Sequence, residues 1–338
     1  MLTSYNLVDY IDTSIASVVN QEMPCDWELL IGDDGSNDGT VDKIKIWIEK
    51  YPDNIKLFQI PRDLSTSKVG SRAAYNRALL LENATGDYLN YLDGDDCWLG
   101  TERLKTQIEK LQNPEFEKCS CCGHNIEAYV IPENRRYAMM PPVDRETVVI
   151  SGFRYEGQCY IHTNTIVFRK CCKEKLLNPL YRNFLNDRFI TFLILQYGPM
   201  LYLPKVWARY NMTGNGLWTG NNPVYGYFRN LQMLDLKLYE APELRKRILL
   251  SHRMDVVNIT NHYKADNFPV IEPLFDKLDE NIFKYSFLFS KNSDVTIIDR
   301  IKKVKVMAEM NYLYYKRALK IKLKGIKRRK NESKRMHR

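Results

Sequence analysis

Compact apolar runs alternate with segments of helical period through the first 115 residues, and two of those runs end in clusters of aspartates. Met1–Ser4 is a short apolar lead-in, and Val8–Gln21 then places Val8, Ile11, Ile15, Val18 and Val19 at helical spacing. Trp27–Gly32 reads as a buried strand running into Asp33-Asp34-Gly35-Ser36-Asn37-Asp38-Gly39, a stretch dense in turn formers. A helix follows over Thr40–Tyr51, with Ile44, Trp47 and Ile48 on one face. Ile55–Ile60 is the next strand, Gly70–Asn83 the next helix, and Tyr88–Leu92 a further strand. This alternation predicts an α/β fold with a mixed, mostly parallel sheet and helices on both faces. Ligands of such sheets sit outside the carboxyl ends of the strands. Both acidic loops, Asp33–Asp38 and Asp93–Asp96, fall on that edge.

Beyond residue 115 the pattern changes. Strand candidates at Cys119–Tyr129, Thr163–Phe168 and Met200–Leu203 surround a helix near Asn186–Tyr197, and after Leu217 the chain reads as mainly helical. The expected organisation is a first α/β half over residues 1–115, a second half of the same domain over 116–220, and a helical C-terminal extension over 221–338. No internal repeat is visible.

Charge is distributed unevenly over this plan. The net charge is +9, but Lys302 to Arg338 holds 15 Lys/Arg against Glu309 and Glu332, a balance of +13 that leaves −4 for the remainder. Within this tail, Ile301, Val304, Ala308, Tyr312, Tyr315, Leu319, Leu323 and Ile326 form a three/four-spaced apolar stripe. It fits a solvated helix packed on the body or an interfacial helix at an anionic membrane. Nucleic acid is the weaker fit, since no reading motif accompanies the charge. No secretory leader or membrane-spanning run is apparent, because the apolar stretch around Phe189–Leu203 is broken by Gln196 and Gly198-Pro199. The eight cysteines then read as reduced thiols of a cytoplasmic protein. The spacing of Cys119, Cys121, Cys122, Cys171 and Cys172 matches no zinc-ribbon or finger pattern.

Three carboxylates within the four residues Asp93-Gly94-Asp95-Asp96 repel one another unless a cation or hydrogen-bond donors compensate. A hard divalent cation takes oxygen ligands, usually one or two carboxylates together with substrate phosphates. An Asp-x-Asp pair alone is more often a solvated turn. Its context alters the reading: Gly86-Asp87-Tyr88-Leu89-Asn90-Tyr91-Leu92 precedes it and Trp98 follows.

With "TSYN" (Thr3–Asn6), "SIASVVNQ" (Ser14–Gln21), "ELLIGDDGSNDGT" (Glu28–Thr40), "SRAAYNRAL" (Ser71–Leu79) and "GDYLNYLDGDDCW" (Gly86–Trp98), the segment Met1–Gln112 resembles the nucleotide-binding half of family 2 glycosyltransferases. These have the GT-A, Rossmann-like fold, and the spore-coat polysaccharide type is similar to this half. The resemblance implies that Thr3 and Tyr5 hold the nucleobase, that Asp34 accepts a base N–H as uracil would offer, and that Arg72 lies near base and diphosphate. It implies that Asp93 and Asp95 are the Asp-x-Asp pair, with Asp95 the direct ligand of Mn²⁺ or Mg²⁺ and Asp93 a ribose or metal contact. "FLNDRFITFLILQYG" (Phe184–Gly198) resembles the helix that carries the catalytic base, which puts Asp187 in that role. His162 falls in a stretch similar to one lining the acceptor pocket, and Trp218 in a lid. Where the family often has Arg and His, this chain has Asn211 and Thr213.

The function so implied is an inverting transfer of sugar from a nucleotide-sugar donor, UDP-linked, to a hydroxyl of a glycan or lipid-linked acceptor. Cell-surface polysaccharide synthesis at the cytoplasmic side of the cell membrane is the expected setting. The alternatives are a nucleotidyltransferase, for which the Gly-rich phosphate loop is missing, and a non-catalytic nucleotide-binding or scaffold relative.

Overall fold

The computed structural model describes residues 1–62, 71–156, 161–214, 223–264, 304–305, 307–320 and 322–323. Trp218, and Ile301 and Ile326 of the tail stripe, lie outside them. The chain forms two compact units, Met1–Pro223 and Val224–Arg338.

The first unit begins β1 (Leu2–Ser4), α1 (Ile11–Val19), β2 (Leu29–Asp33), α2 (Thr40–Lys50), β3 (Ile55–Gln59) and α3 (Ser71–Asn83). It continues with β4 (Tyr88–Leu89), β5 (Leu92–Asp93), β6 (Cys97–Trp98), α4 (Arg103–Gln112), β7 (Cys121–Val130), β8 (Arg135–Ala138) and β9 (Val148–Ile150). The last elements are α5 (Gly152–Tyr155), β10 (Val167–Arg169), α6 (Lys173–Leu176), α7 (Asp187–Ile194) and β11 (Met200–Met212).

Two sheets result. The first has the order β3-β2-β1-β5 and is parallel throughout. All five residues of β2 are buried, as a strand covered on both faces requires. α1 contributes Ile11, Ile15 and Val18 to the core, α2 contributes Ile44, and α3 buries Ala74, Ala78, Leu80 and Leu81. The register aligns Thr3 with both Gly32 and Asp93, and Ser4 with Asp33. β2 and β5 thereby deliver their two acidic loops to the edge at which β1 also ends. The second sheet runs β4-β10-β7-β11-β6, with β8 on β7 and β9 on β11. Ile126 and Ala208 from this sheet join Leu2, Ile31 and Leu92 in one apolar cluster, so both sheets share a core.

The structure redraws three sequence-based elements. Tyr88–Leu92 is not one strand. β4 pairs antiparallel with β10, whereas β5 pairs with β1 in the other sheet. The chain changes sheet at Asn90, whose side chain donates to the Ile166 carbonyl at 2.5 Å. The strand expected to stop at Leu203 continues to Met212, and Pro204, which has no N–H to give the ladder, falls within its register shift between Leu203 and Val206. Thr163–Phe168 opens as a tight 3₁₀ turn (Thr163–Thr165), and only then becomes β10.

In the second unit, α8 (Pro223–Glu240) and α9 (Arg245–Lys264) bury Leu231, Leu234, Ile248, Leu249 and Val256. The tail contributes a helix whose described residues are 304–305, 307–320 and 322–323. Among the described residues, no helix is long and apolar enough to cross a membrane.

Gly32 marks the tightest point of the first sheet. A Cβ there would lie 1.8 Å from Asn76 Oδ1, and Asn76 Nδ2 already donates to the Gly32 carbonyl at 2.7 Å. A methyl group would have to displace this buried amide from α3. Gly32→Ala is expected to lower the unfolding free energy by about 1–3 kcal/mol, the usual range for overpacking. Urea denaturation reads this directly, and an unchanged midpoint would show that α3 yields without cost.

Candidate functional site

The carboxyl edge of the first sheet is built tightly around one loop. Gly94 N–H donates to the Thr3 carbonyl at 2.8 Å, and a Cβ at Gly94 would lie 2.9 Å from that same oxygen. Only glycine permits the acidic loop to close so near β1. Thr3 Oγ1 then donates to Asp93 Oδ1 at 2.9 Å.

Arg77, on the inner face of α3, reaches the same carboxylate. Its Nη2 lies 3.0 Å from Asp93 Oδ1 and 3.3 Å from Asp187 Oδ1, while Nη1 donates to the Leu185 carbonyl at 3.2 Å. Burial opposes the charge on Arg77, but the two carboxylates outweigh it and hold its pKa above the ordinary value. For Asp93, burial works upward, and Arg77, His162 and Thr3 overcome it to hold the pKa low. Asp187 begins α7 one residue after Asn186, whose side-chain oxygen caps the helix by accepting from Phe189 N–H at 2.9 Å. The second Asp187 oxygen lies 3.7 Å from His162 Nε2. Asn164 N–H points at His162 Nδ1 over 3.4 Å, which leaves Nε2 to carry the ring proton toward Asp187.

Asp95 and Asp96 behave differently. Asp96 is buried, accepting from Asn211 N–H at 2.8 Å and from the Asn164 side-chain amide. Burial, then the charges of Asp95 and Asp93, push its pKa well up. The Asn211 amide also donates to the Asp95 carbonyl at 2.7 Å. Asn211 thus fastens β11 to the acidic loop. Asn164 is itself held by Trp98 Nε1 and Arg103 Nη2, both 3.0 Å from its carbonyl. The Asp95 side chain faces no comparable donor set, and burial together with the charge of Asp93 raises its pKa to about 7.

This arrangement tests the cation expectation. Potential ligand atoms of Asp93, His162 and Asp187 lie within 4.8 Å of one another. Arg77 offsets one of the two carboxylate charges of that trio and already occupies Asp93 Oδ1 and Asp187 Oδ1, which weakens its hold on a metal ion. Asp95 has no ion pair among the described residues, and its hard oxygens suit Mg²⁺ or Mn²⁺. The donor chemistry therefore fits a divalent ion at Asp95, with Asp93 alongside.

A second group lies at the same edge. Asp34 accepts from Arg72 Nε at 2.7 Å, and the Arg72 Nη2 donates onward to the Pro61 carbonyl at 3.2 Å. The exposed ring of Tyr5 is covered by Arg62, whose guanidinium carbon stands 3.6 Å from the ring centroid. Asp33 caps the turn between them, its Oδ1 accepting from Ser36 N–H at 2.8 Å and Gly35 N–H at 3.1 Å.

The structure thus gathers Thr3, Asp93 and Asp187 around Arg77, and Asp34 with Arg72. Sequence reasoning passed over Arg77, Arg62, Asn164 and Tyr210, whose ring is 5.0 Å from that of His162. Arg77 did leave a signal. It stands three residues after Ala74 on the buried face of α3, where a lone arginine requires partners. The cysteine cluster is not part of the site. Cys119, Cys121, Cys122 and Cys172 are buried thiols, and burial raises their pKa.

Comparison with known proteins gives this geometry a context. Residues 1–175, just over half of the chain, match the family described as "Glycosyl transferase family 2". A putative teichuronic acid biosynthesis glycosyltransferase of Bacillus subtilis, TuaG, is 38 % identical over 106 residues, 31 % of this chain and 38 % of TuaG. A UDP-Glc:α-D-GlcNAc-diphosphoundecaprenol β-1,3-glucosyltransferase of Escherichia coli, WfgD, is 34 % identical over 111 residues, 33 % of this chain and 39 % of WfgD. The chain therefore spans well under half the length of either relative. Among solved structures, TarS 1–349 of S. aureus in complex with UDP-GlcNAc superposes with a TM-score of 0.60 over 93 % of this chain and 90 % of TarS 1–349, at 16 % identity. That likeness establishes the GT-A fold.

Removing the Arg77 charge leaves two buried carboxylates facing each other. Arg77→Met is expected to cost about 3–5 kcal/mol, as breaking a buried ion pair from one side does. Arg77→Lys keeps the charge, loses the fork that reaches the Leu185 carbonyl, and falls between the two. Equilibrium denaturation ranks the three proteins, and equal stability of Arg77→Met and wild type would contradict the ion-pair account.

Proposed function

The chain belongs to glycosyl transferase family 2, and from that premise we propose that it is an inverting, metal-dependent glycosyltransferase. The reading has it move a sugar from a nucleotide-sugar, UDP-linked, onto a hydroxyl of a glycan or lipid-linked acceptor. Cell-surface polysaccharide synthesis on the inner face of the membrane is the setting that accompanies it. The observation that carries the proposal is the Asp93–Arg77–Asp187 bridge, which brings the end of β5 and the start of α7 to one nitrogen of the same guanidinium.

The chain's own groups divide the work as follows. Tyr5 offers a ring face to the base, and Asp34 an oxygen to its N–H. Uridine suits this pair, and TarS, which shares the fold, has been solved with UDP-GlcNAc. Asp95, with Asp93 alongside, would hold Mn²⁺ or Mg²⁺, which when bound neutralises charge building on the departing diphosphate. Asp187 takes the proton of the acceptor hydroxyl as that oxygen attacks the anomeric carbon. Arg77 fixes one Asp187 oxygen, so the other is presented in a constant direction beside His162. Thr3 and Arg77 hold Asp93 from two sides, which sets the floor of the donor site.

A second reading, a nucleotide-binding relative without transfer, draws support from Asn211. This residue spends its amide on Asp95 and Asp96, and supplies no positive charge for a diphosphate. Release of UDP from a panel of UDP-sugars separates the two readings, since the second predicts none.

Asp187→Asn is expected to leave UDP affinity within about threefold while lowering transfer by roughly 10²–10⁴, the usual contribution of a general base. Normal turnover with weakened donor binding would overturn the assignment. Asp95→Ala is expected to abolish the increment in UDP affinity that Mn²⁺ provides. Calorimetry that finds the same UDP affinity with and without metal in both proteins would remove the cation from the proposal.

A further inference from the structure

The helix spanning 304–323 in the second unit has two faces. Met310 is buried, Glu309 forms a two-pronged ion pair with Arg245 at 2.8 and 3.2 Å, and Asn311 Oδ1 accepts from Arg253 Nε at 3.3 Å. The Arg253 guanidinium also stacks on Tyr314, 3.7 Å from the ring centroid. These contacts fix which side turns toward α9. The apolar stripe is not on that side. Val304, Tyr312, Tyr315, Leu319 and Leu323 are all 52–67 % exposed. At about 100° per residue they fall, with Ala308, in an arc of roughly 100° centred opposite Met310. Lys305, Lys316, Lys320 and Lys322 border this arc, and Lys316 Nζ lies 3.1 Å from the Tyr312 hydroxyl. From Met310 to Asn331 the sequence contains no Asp or Glu.

We propose that this outward face is a membrane-binding surface, lying in the interface of an anionic lipid bilayer with its tyrosines and leucines inserted and its lysines at the headgroups. Three physical considerations select that occupant. A helix that buries a few residues on the protein and leaves tyrosine, leucine and lysine outside has the composition of an interfacial helix. The lysines border the apolar arc, so their stems can lie along it while their charges reach headgroups. A second copy is disfavoured, because apposing two such stripes would bring the bordering lysines of both helices together. Nucleic acid would use the charge and leave the stripe in water. Each basic residue held near an anionic surface contributes about fivefold in affinity. The inference rests on this helix alone and does not depend on the chemistry proposed for the cleft.

Co-sedimentation of the full-length protein with sucrose-loaded vesicles tests it. Binding to phosphatidylcholine vesicles containing phosphatidylglycerol is expected to exceed binding to phosphatidylcholine alone by about tenfold or more, and to weaken with added salt. Tyr315→Glu with Leu319→Glu is expected to lose about tenfold or more of that binding, whereas Tyr315→Phe with Leu319→Ile retains it. Both positions are exposed, so the melting temperature and UDP affinity of the Glu variant should match wild type, which separates this outcome from a failure of the donor site. Wild-type levels of vesicle binding by the Glu variant would overturn the proposal. So would equal binding to both vesicle types, a dimer lost in the Glu variant without any vesicle binding, or binding to a DNA duplex that exceeds vesicle binding and ignores the substitutions.

Discussion

The guanidinium of Arg77 is the joint on which the cleft depends. α3 carries it to a place where one of its nitrogens meets the carboxylates of both Asp93 and Asp187. Because the two carboxylates belong to different parts of the chain, β5 and α7, the same group settles both an electrostatic problem and a positional one. A pair of opposed carboxylates in a buried setting would be relieved by protonation or by separation. With Arg77 between them, neither relief is needed, and the spacing of Asp93 and Asp187 is set by one guanidinium nitrogen.

A second, neutral network fastens the other side of the acidic loop. Asp96 is enclosed by Asn164 and Asn211, and Asn164 is anchored in turn by Trp98 and Arg103. Arg103 is fully buried, with no carboxylate paired to it among the described residues. It donates to His124 Nε2 at 2.7 Å, stacks 3.9 Å above the Trp98 ring, and is lowered by burial to a pKa of about 9. The outcome is a loop with unequal members. Asp93 is paired with Arg77, Asp96 is absorbed into structure, and Asp95 has no ion pair among the described residues and a pKa raised to about 7. The repulsion that makes such a run look implausible as a turn is thereby distributed, and only one residue is left to attract a cation.

Much of this architecture could be read from residue patterns. Leu29–Ile31 and Ile11–Val18 carry periodicities that leave little choice of element, and the aspartates at the strand ends do meet at one edge of the sheet. What escaped the pattern had a physical reason in each case. Tyr88–Leu92 is evenly apolar, and nothing in it shows that Asn90 sends its side chain to Ile166 and the backbone into another sheet. Pro204 normally ends a strand, but a register shift lets β11 pass through it. Arg77 could have been found as a charge on an alanine-rich face, although its two partners lie 16 and 110 positions away, beyond any local signal. The stripe from Val304 to Leu323 was visible as a stripe, but its direction is set by Glu309 and Met310 meeting α9, a tertiary fact.

The covering of Tyr5 by Arg62 and of Asp34 by Arg72 has a consequence for selectivity. On the proposed reading, a nucleobase arriving at this edge would enter a competition with contacts already made. What it gains by stacking is offset by the loss of a stacked guanidinium, and what it gains at Asp34 by sharing that oxygen with an arginine. On that reading the return would be smaller for a base that cannot donate an N–H toward Asp34, and discrimination would follow from exchange, with no repulsive contact built against the wrong nucleotide.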